Sequence, residues 1–182
     1  MKALTLAATS VLAVGFASTP AEAMTFTVGS LASSCYQASL VYEANNAALS
    51  DCTRALDEEP LSYSDRVATY VNRGIVRMNL RDQFGADQDF DTALKMDRNE
   101  PEAWLNKGLL RLRQNQPADA MPLIERAIQA HTIRPALALY ARGVANEQLG
   151  HLKAAYTDLS QARDLAPGWK LPAEQLQRYH VR

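Results

Sequence analysis

An excess of charge of either sign is missing: 19 lysines and arginines stand against 20 acidic residues, for a net charge of −1. Phosphate backbones are gripped by clustered basic excess, so this balance argues against nucleic acid as a partner. Cysteine is nearly absent, with two in 182 residues and no Cys-x-x-Cys spacing, which leaves a thiol redox motif or a zinc site without support. His131, His151 and His180 lie far apart and show no metal-ligand spacing. Neither a Gly-x-Ser-x-Gly elbow nor a phosphate loop occurs. The chain is therefore read as non-enzymatic, with no catalytic residue, metal or cofactor. Asp87, Asp89 and Asp91 imitate the start of a calcium loop. Thr92 replaces its turn glycine and Arg98 its final glutamate, so the run is read as a solvated helix face.

Long apolar runs are also missing beyond the first sixteen residues. Leu4 to Phe16 is mostly apolar, follows Lys2, and is broken by Ser18, Thr19 and Pro20 before the small-residue site Ala21-Glu22-Ala23. A helix needs about 20 residues to cross a bilayer, and this stretch is shorter. The pattern is that of a secretory signal peptide over 1–23. It predicts an exported chain, periplasmic or secreted, without stable membrane insertion and beginning at Met24. Export bears on Cys35 and Cys52. An oxidising compartment lets them close into a disulfide; the alternative is two separately buried thiols.

With 47% hydrophobic and 21% charged residues, the remainder has a globular composition. Glycine is sparse, eight in all, so regularity among the glycines carries information. Tyr70-Val71-Asn72-Arg73-Gly74 is followed by Ala86, Phe90 and Ala93. Trp104-Leu105-Asn106-Lys107-Gly108 is followed by Ala120, Ile124 and Ala127. Leu139-Tyr140-Ala141-Arg142-Gly143 is followed by Ala155, Leu159 and Ala162. The glycines are 34 and 35 residues apart, and each precedes its two alanines by 12 and 19 residues. A mid-helix glycine costs about 1 kcal/mol against alanine, so its recurrence calls for a packing reason. Close approach of two helices supplies one, with glycine on one helix facing alanine on the other. Pro101, Pro117 and Pro135 stand where helices begin, and Gly150 where one ends.

These segments resemble tetratricopeptide repeats, whose pattern runs large aromatic, Asn-x-Gly, Ala, aromatic, Ala and Pro. Arg98 and Thr132 depart from it where a closing proline is usual, as do Arg77, Arg111 and Asn146 where an aromatic is common. The resemblance implies an all-α, right-handed α-solenoid of helical hairpins, with repeats over 67–100, 101–135 and 136–169. Ala48, Cys52, Ala55 and Pro60 reproduce the second-helix spacing, which predicts a degenerate hairpin over 32–60 with its first helix from Ser33 to Asn45. Cys35 and Cys52 then fall on its two helices, where a bridge would staple the terminal unit. An extended segment over 24–31 and a capping helix over 170–182, starting at Pro172, complete the organisation.

In such solenoids the first helix of each hairpin lines a concave face that holds a peptide or a partner helix. The matching apolar positions are Val71, Ile75 and Met78; Leu105, Leu109 and Leu112; and Leu137, Tyr140 and Val144. Periodic apolar faces mostly mark core. If exposed, they form a trough that takes a partner, another copy of the chain, or the chain's own 24–31 segment or last helix. Asn72 and Asn106 either bond a bound peptide's backbone or bond the adjacent turn. The resemblance thus implies a scaffold or adaptor for a protein or peptide; a self-associating structural subunit is the alternative. Val71 and Ile75 stand where chaperone-tail-binding members carry lysine and asparagine, so no carboxylate clamp is expected.

Overall fold

The computed structural model describes residues 30–41 and 45–179. The proposed signal peptide, nearly all of the 24–31 segment and His180 lie outside them. Nine helices and no strand occur among the described residues. In order they are α1 (Leu31–Leu40), α2 (Asn46–Glu58), α3 (Tyr63–Asn79), α4 (Gln83–Met96), α5 (Pro101–Arg113), α6 (Pro117–Gln129), α7 (Pro135–Gln148), α8 (Leu152–Leu165) and α9 (Lys170–Leu176). Consecutive helices pair as hairpins, α1 with α2 through α7 with α8, and α3, α5 and α7 also touch in succession. The chain is an all-helical solenoid. No helix among the described residues is long and apolar enough to cross a membrane.

Local chemistry sets the helix ends. Ser30, Asn45, Ser62 and Asp82 each accept a bond from the amide three residues on, satisfying a donor that has no helical partner. Pro101, Pro117 and Pro135 open α5, α6 and α7. Between the paired helices the chain reverses through one left-handed residue, at Arg81 (φ 66°), Asn115 (φ 57°) and Gly150 (φ 81°). All three lie seven residues after the repeat glycine. Only Gly150 declares the turn in the sequence, because glycine alone enters this region without steric cost.

The repeat glycines do mark a close helix approach, and the group nearest to each is the bulky residue of the second helix. A Cβ on Gly74 would lie 2.5 Å from Phe90 Cε1, one on Gly108 2.6 Å from Ile124 Cγ1, and one on Gly143 2.9 Å from Leu159 Cγ. Each glycine is a notch filled by the bulky residue of the second helix, and the expected alanine lies at the same contact in two of them: a Cβ would stand 3.5 Å from the Ala120 carbonyl at Gly108 and 3.4 Å from the Ala155 carbonyl at Gly143. Phe90, Ile124 and Leu159 are fully buried, as are the six alanines around them. Burying such a side chain contributes roughly 1.5–3 kcal/mol.

At the equivalent crossing in the first hairpin, Cys35 and Cys52 form a disulfide with a Cα–Cα distance of 4.7 Å. Tyr36, at the position matching the glycines, points outward and is half exposed. The first helix covers Leu31–Leu40 and not Ser33–Asn45. The last helix begins at Lys170, before Pro172, which is buried in its first turn, while Leu171 of the expected apolar edge is exposed.

The acidic run on α4 requires a correction. Asp89 is only 2% exposed and meets two guanidinium groups of α3: Arg73 at 2.8 and 3.0 Å, and Arg77 at 2.8 Å. Asp87 accepts from Arg111 at 2.9 and 3.0 Å, and Asp91 pairs with Lys107. In the third full hairpin Asp158 takes the role of Asp89, binding Arg142 at 2.6 and 2.9 Å and Asn146 at 3.1 Å. The bond to Asp158 raises the pKa of Arg142. Arg77, Arg111 and Asn146 thus replace the usual aromatic because each reaches a carboxylate.

Candidate protein-binding groove

Helices α3, α5 and α7 carry the eleven proposed groove residues, and burial divides them. Val71, Ile75 and Met78 are sealed in a core cluster with Phe90, Leu94 and Leu110. Leu105 is fully buried in a second cluster with Ile124 and Ala138. Asn106 is buried too, and its Nδ2 donates to the Glu102 carbonyl at 2.7 Å, the structural bond of the two readings. These five cannot line an open groove. Their apolar spacing marks the face turned toward neighbouring helices, and periodicity carries no measure of depth.

The other six keep part of their surface. Asn72 is half-buried, and its Oδ1 accepts from Ser39 Oγ of α1 at 3.2 Å. Leu109, Leu112 and Leu137 pack on the rim of the second cluster, with Tyr140 and Val144 half-buried further along α7. An apolar strip therefore runs over α5 and α7, while its counterpart on α3 is closed.

Residues that the sequence reading did not single out shape the strip's end. The Trp169 ring lies 4.8 Å from that of Tyr140, tilted by 58°. Glu147 accepts from Gln175 at 2.6 Å and pairs with Arg178, so α9 and the turn after it are tied to α7. Burial, and after it the Glu147 carboxylate, pushes the Tyr140 phenol's pKa up. Trp169 follows Pro167-Gly168, and a tryptophan just past a repeat's closing turn was the available signal.

Leu137 and Trp169 also belong to a cleft of about 490 Å³, lined further by Ile133, Pro135, Ala136, Leu165 and Ala166 with Arg134 at its edge. Glu102 fixes one wall by accepting from the Ile133 amide at 3.0 Å and from Arg134 Nε at 2.6 Å. Ile133 is left 82% exposed and Leu165 58% exposed. Among the described residues no group of three or more acidic, histidine or cysteine side chains could hold a metal.

A tetratricopeptide repeat model matches residues 74–135 and again 106–168, together just over half of the chain. The chain belongs to the tetratricopeptide repeat family. Solved structures with this repeat fold align over most of its length. MamA from Desulfovibrio magneticus RS-1 (residues 41 to the end) is 25% identical over 81% of this chain and 82% of its own, with a TM-score of 0.61. PilW, a widely conserved type IV pilus biogenesis factor, is 20% identical over 82% of this chain and 69% of its own, with a TM-score of 0.68. At that identity the likeness to PilW shows the fold alone. No curated protein matches the chain. The tetratricopeptide scaffold is a protein-interaction fold, so protein partners are the class of ligand it suits.

Proposed function

We propose that this tetratricopeptide protein is an exported binding scaffold that holds a peptide or partner helix along α5 and α7. The observation that carries the reading is the half-buried apolar strip of Leu109, Leu112, Leu137, Tyr140 and Val144, which the chain builds but does not seal. Periodic apolar side chains left partly open on a rigid scaffold offer burial to a second molecule. Export rests on the leader-like sequence over 1–23, and the disulfide, a bond that persists in oxidising compartments, supports it. Catalysis has no place in this reading, nor does nucleic acid. The groove reading needs only that part of each side chain of this strip be reachable.

Leu109→Asp and Tyr140→Asp test it, because each places a charge on the strip without entering a sealed cluster. Crosslinking in the compartment to which the chain is exported should capture a partner with the parent chain. Capture should fall at least tenfold with either variant, at unchanged helicity by circular dichroism. A folded variant that retains the partner overturns the groove.

A second reading rests on Trp169 and the Glu147 ties, by which the last segment covers the Tyr140 end of the strip. On that reading the chain is a structural subunit whose groove is closed by itself or by another copy. Mass in solution separates the two, since a constitutive dimer favours the second.

A further inference from the structure

We propose that the Cys35–Cys52 bridge is a redox latch on the first helix: reduction releases α1 from the α2–α3 surface and leaves the full repeats folded. Cys35 is the sole buried side chain of α1. The large apolar groups of α1 and its end face solvent, with Tyr36 49%, Leu40 61% and Val41 52% exposed. Hydrophobic docking of α1 is correspondingly slight, because the driving force scales with apolar area removed from water.

What else holds α1 is polar and in part half-buried, including Ser39 Oγ, which donates to Asn72 Oδ1 of α3 at 3.2 Å. The Glu59 carboxylate accepts from the amides of Leu31 at 2.6 Å and Ala32 at 3.1 Å. Ser34 Oγ donates to Asp51 at 2.7 Å, and Asn79 Nδ2 to the Val41 carbonyl at 3.4 Å. The neutral bonds replace bonds to water and contribute little net, so the two to the Glu59 carboxylate are the stronger polar ties.

The second helix is held differently. Besides Cys52 it buries Ala55 and Leu56, and Arg66 of α3 donates to the Leu56 carbonyl at 2.7 Å. Opening therefore divides the hairpin, with α2 remaining on α3. The surface uncovered consists of Val76, now fully buried, with Leu80, Ala48 and Leu49 beside it.

The chemistry is a two-electron exchange with a dithiol. A thiolate of the reductant attacks one sulfur, the Cys35–Cys52 bond breaks, and the mixed disulfide resolves. Two protonated cysteines are left, and the reductant becomes a disulfide. Both cysteines are fully buried, so the dithiol reaches the sulfurs only through local opening of the hairpin about the intact bridge, and α1 leaves after the bond is cut. The bridge closes a loop with a sequence separation of 17. Losing a constraint of that length favours opening by about a hundredfold.

Amide hydrogen exchange on the full chain, oxidised or treated with dithiothreitol, tests the latch, with thiol state verified by the mass of the alkylated protein. Exchange across 31–40 should accelerate about a hundredfold on reduction and return on reoxidation with diamide, while 63–165 keeps its protection. Cys35→Ser combined with Cys52→Ser should reproduce the fast exchange without reductant. Unchanged protection of 31–40 in a fully alkylated chain overturns the proposal. So does an equal loss of protection across 63–165, which would make the bridge a global staple.

Discussion

The first hairpin and the three that follow solve one packing problem in two ways. In the later hairpins a glycine notch receives Phe90, Ile124 or Leu159, and contact energy fixes the crossing point. In the first, Tyr36 stands at the notch position, no bulky group enters, and a covalent bond one residue away holds the helices. The difference shows that the repeat motif matters at a single contact. Where the notch is lost, a side chain as small as cysteine suffices, provided it is bonded across. Stability is consequently distributed unevenly, with the later hairpins resting on buried area and the first on a tether.

Removing the bulk from a notch attacks that difference most directly. Phe90→Ala should cost about 3–5 kcal/mol, the range for truncating a buried aromatic, measured by denaturant unfolding followed by circular dichroism. A loss below about 1 kcal/mol would mean that the notch contact does not carry the hairpin. Filling a notch comes next. Gly108→Ala places a methyl 2.6 Å from Ile124 Cγ1; overpacking should cost about 1–3 kcal/mol, even though alanine is the better helix former. Combining it with Ile124→Ala should recover part of the loss, a coupling of order 1 kcal/mol that a double-mutant cycle would measure. Additive losses would place the two residues out of contact. Smallest is Arg81→Gly, which relieves the left-handed turn after α3. It should stabilise by ~0.5–1 kcal/mol, the steric relief outweighing the added freedom of the unfolded chain. A fall in the melting temperature would count against strain there.

The hairpin architecture was legible because three glycines and six alanines recur at fixed offsets, and because prolines mark helix starts. The two cysteines were legible as a pair, with the leader-like segment tipping them toward a bridge. Depth was not legible: Val71 and Leu105 share their pattern with Leu109 and Val144, yet the first two are sealed and the others are not. Whether a stripe is covered depends on where the next helix lands, and spacing within one helix does not encode that. The acids of α4 were misread for a similar reason, since their cationic partners lie 12 to 24 residues away on neighbouring helices. The turn at Arg81 breaks the local rule for left-handed residues, which Asn115 and Gly150 follow, and only its alignment with them discloses it.

The carboxylates of α4 have one more consequence. Leu123 occupies the place in α6 that Asp89 and Asp158 hold in α4 and α8. Lys107 and Arg111 therefore turn backward to Asp91 and Asp87 of the preceding unit. At the matching two sites α2 offers Leu49 and Thr53, α6 offers Met121 and Glu125, and α8 offers Tyr156 and Ser160. The second full unit is thereby matched to the one before it, since neither α2 nor α8 offers a carboxylate to Lys107 or Arg111 at these sites.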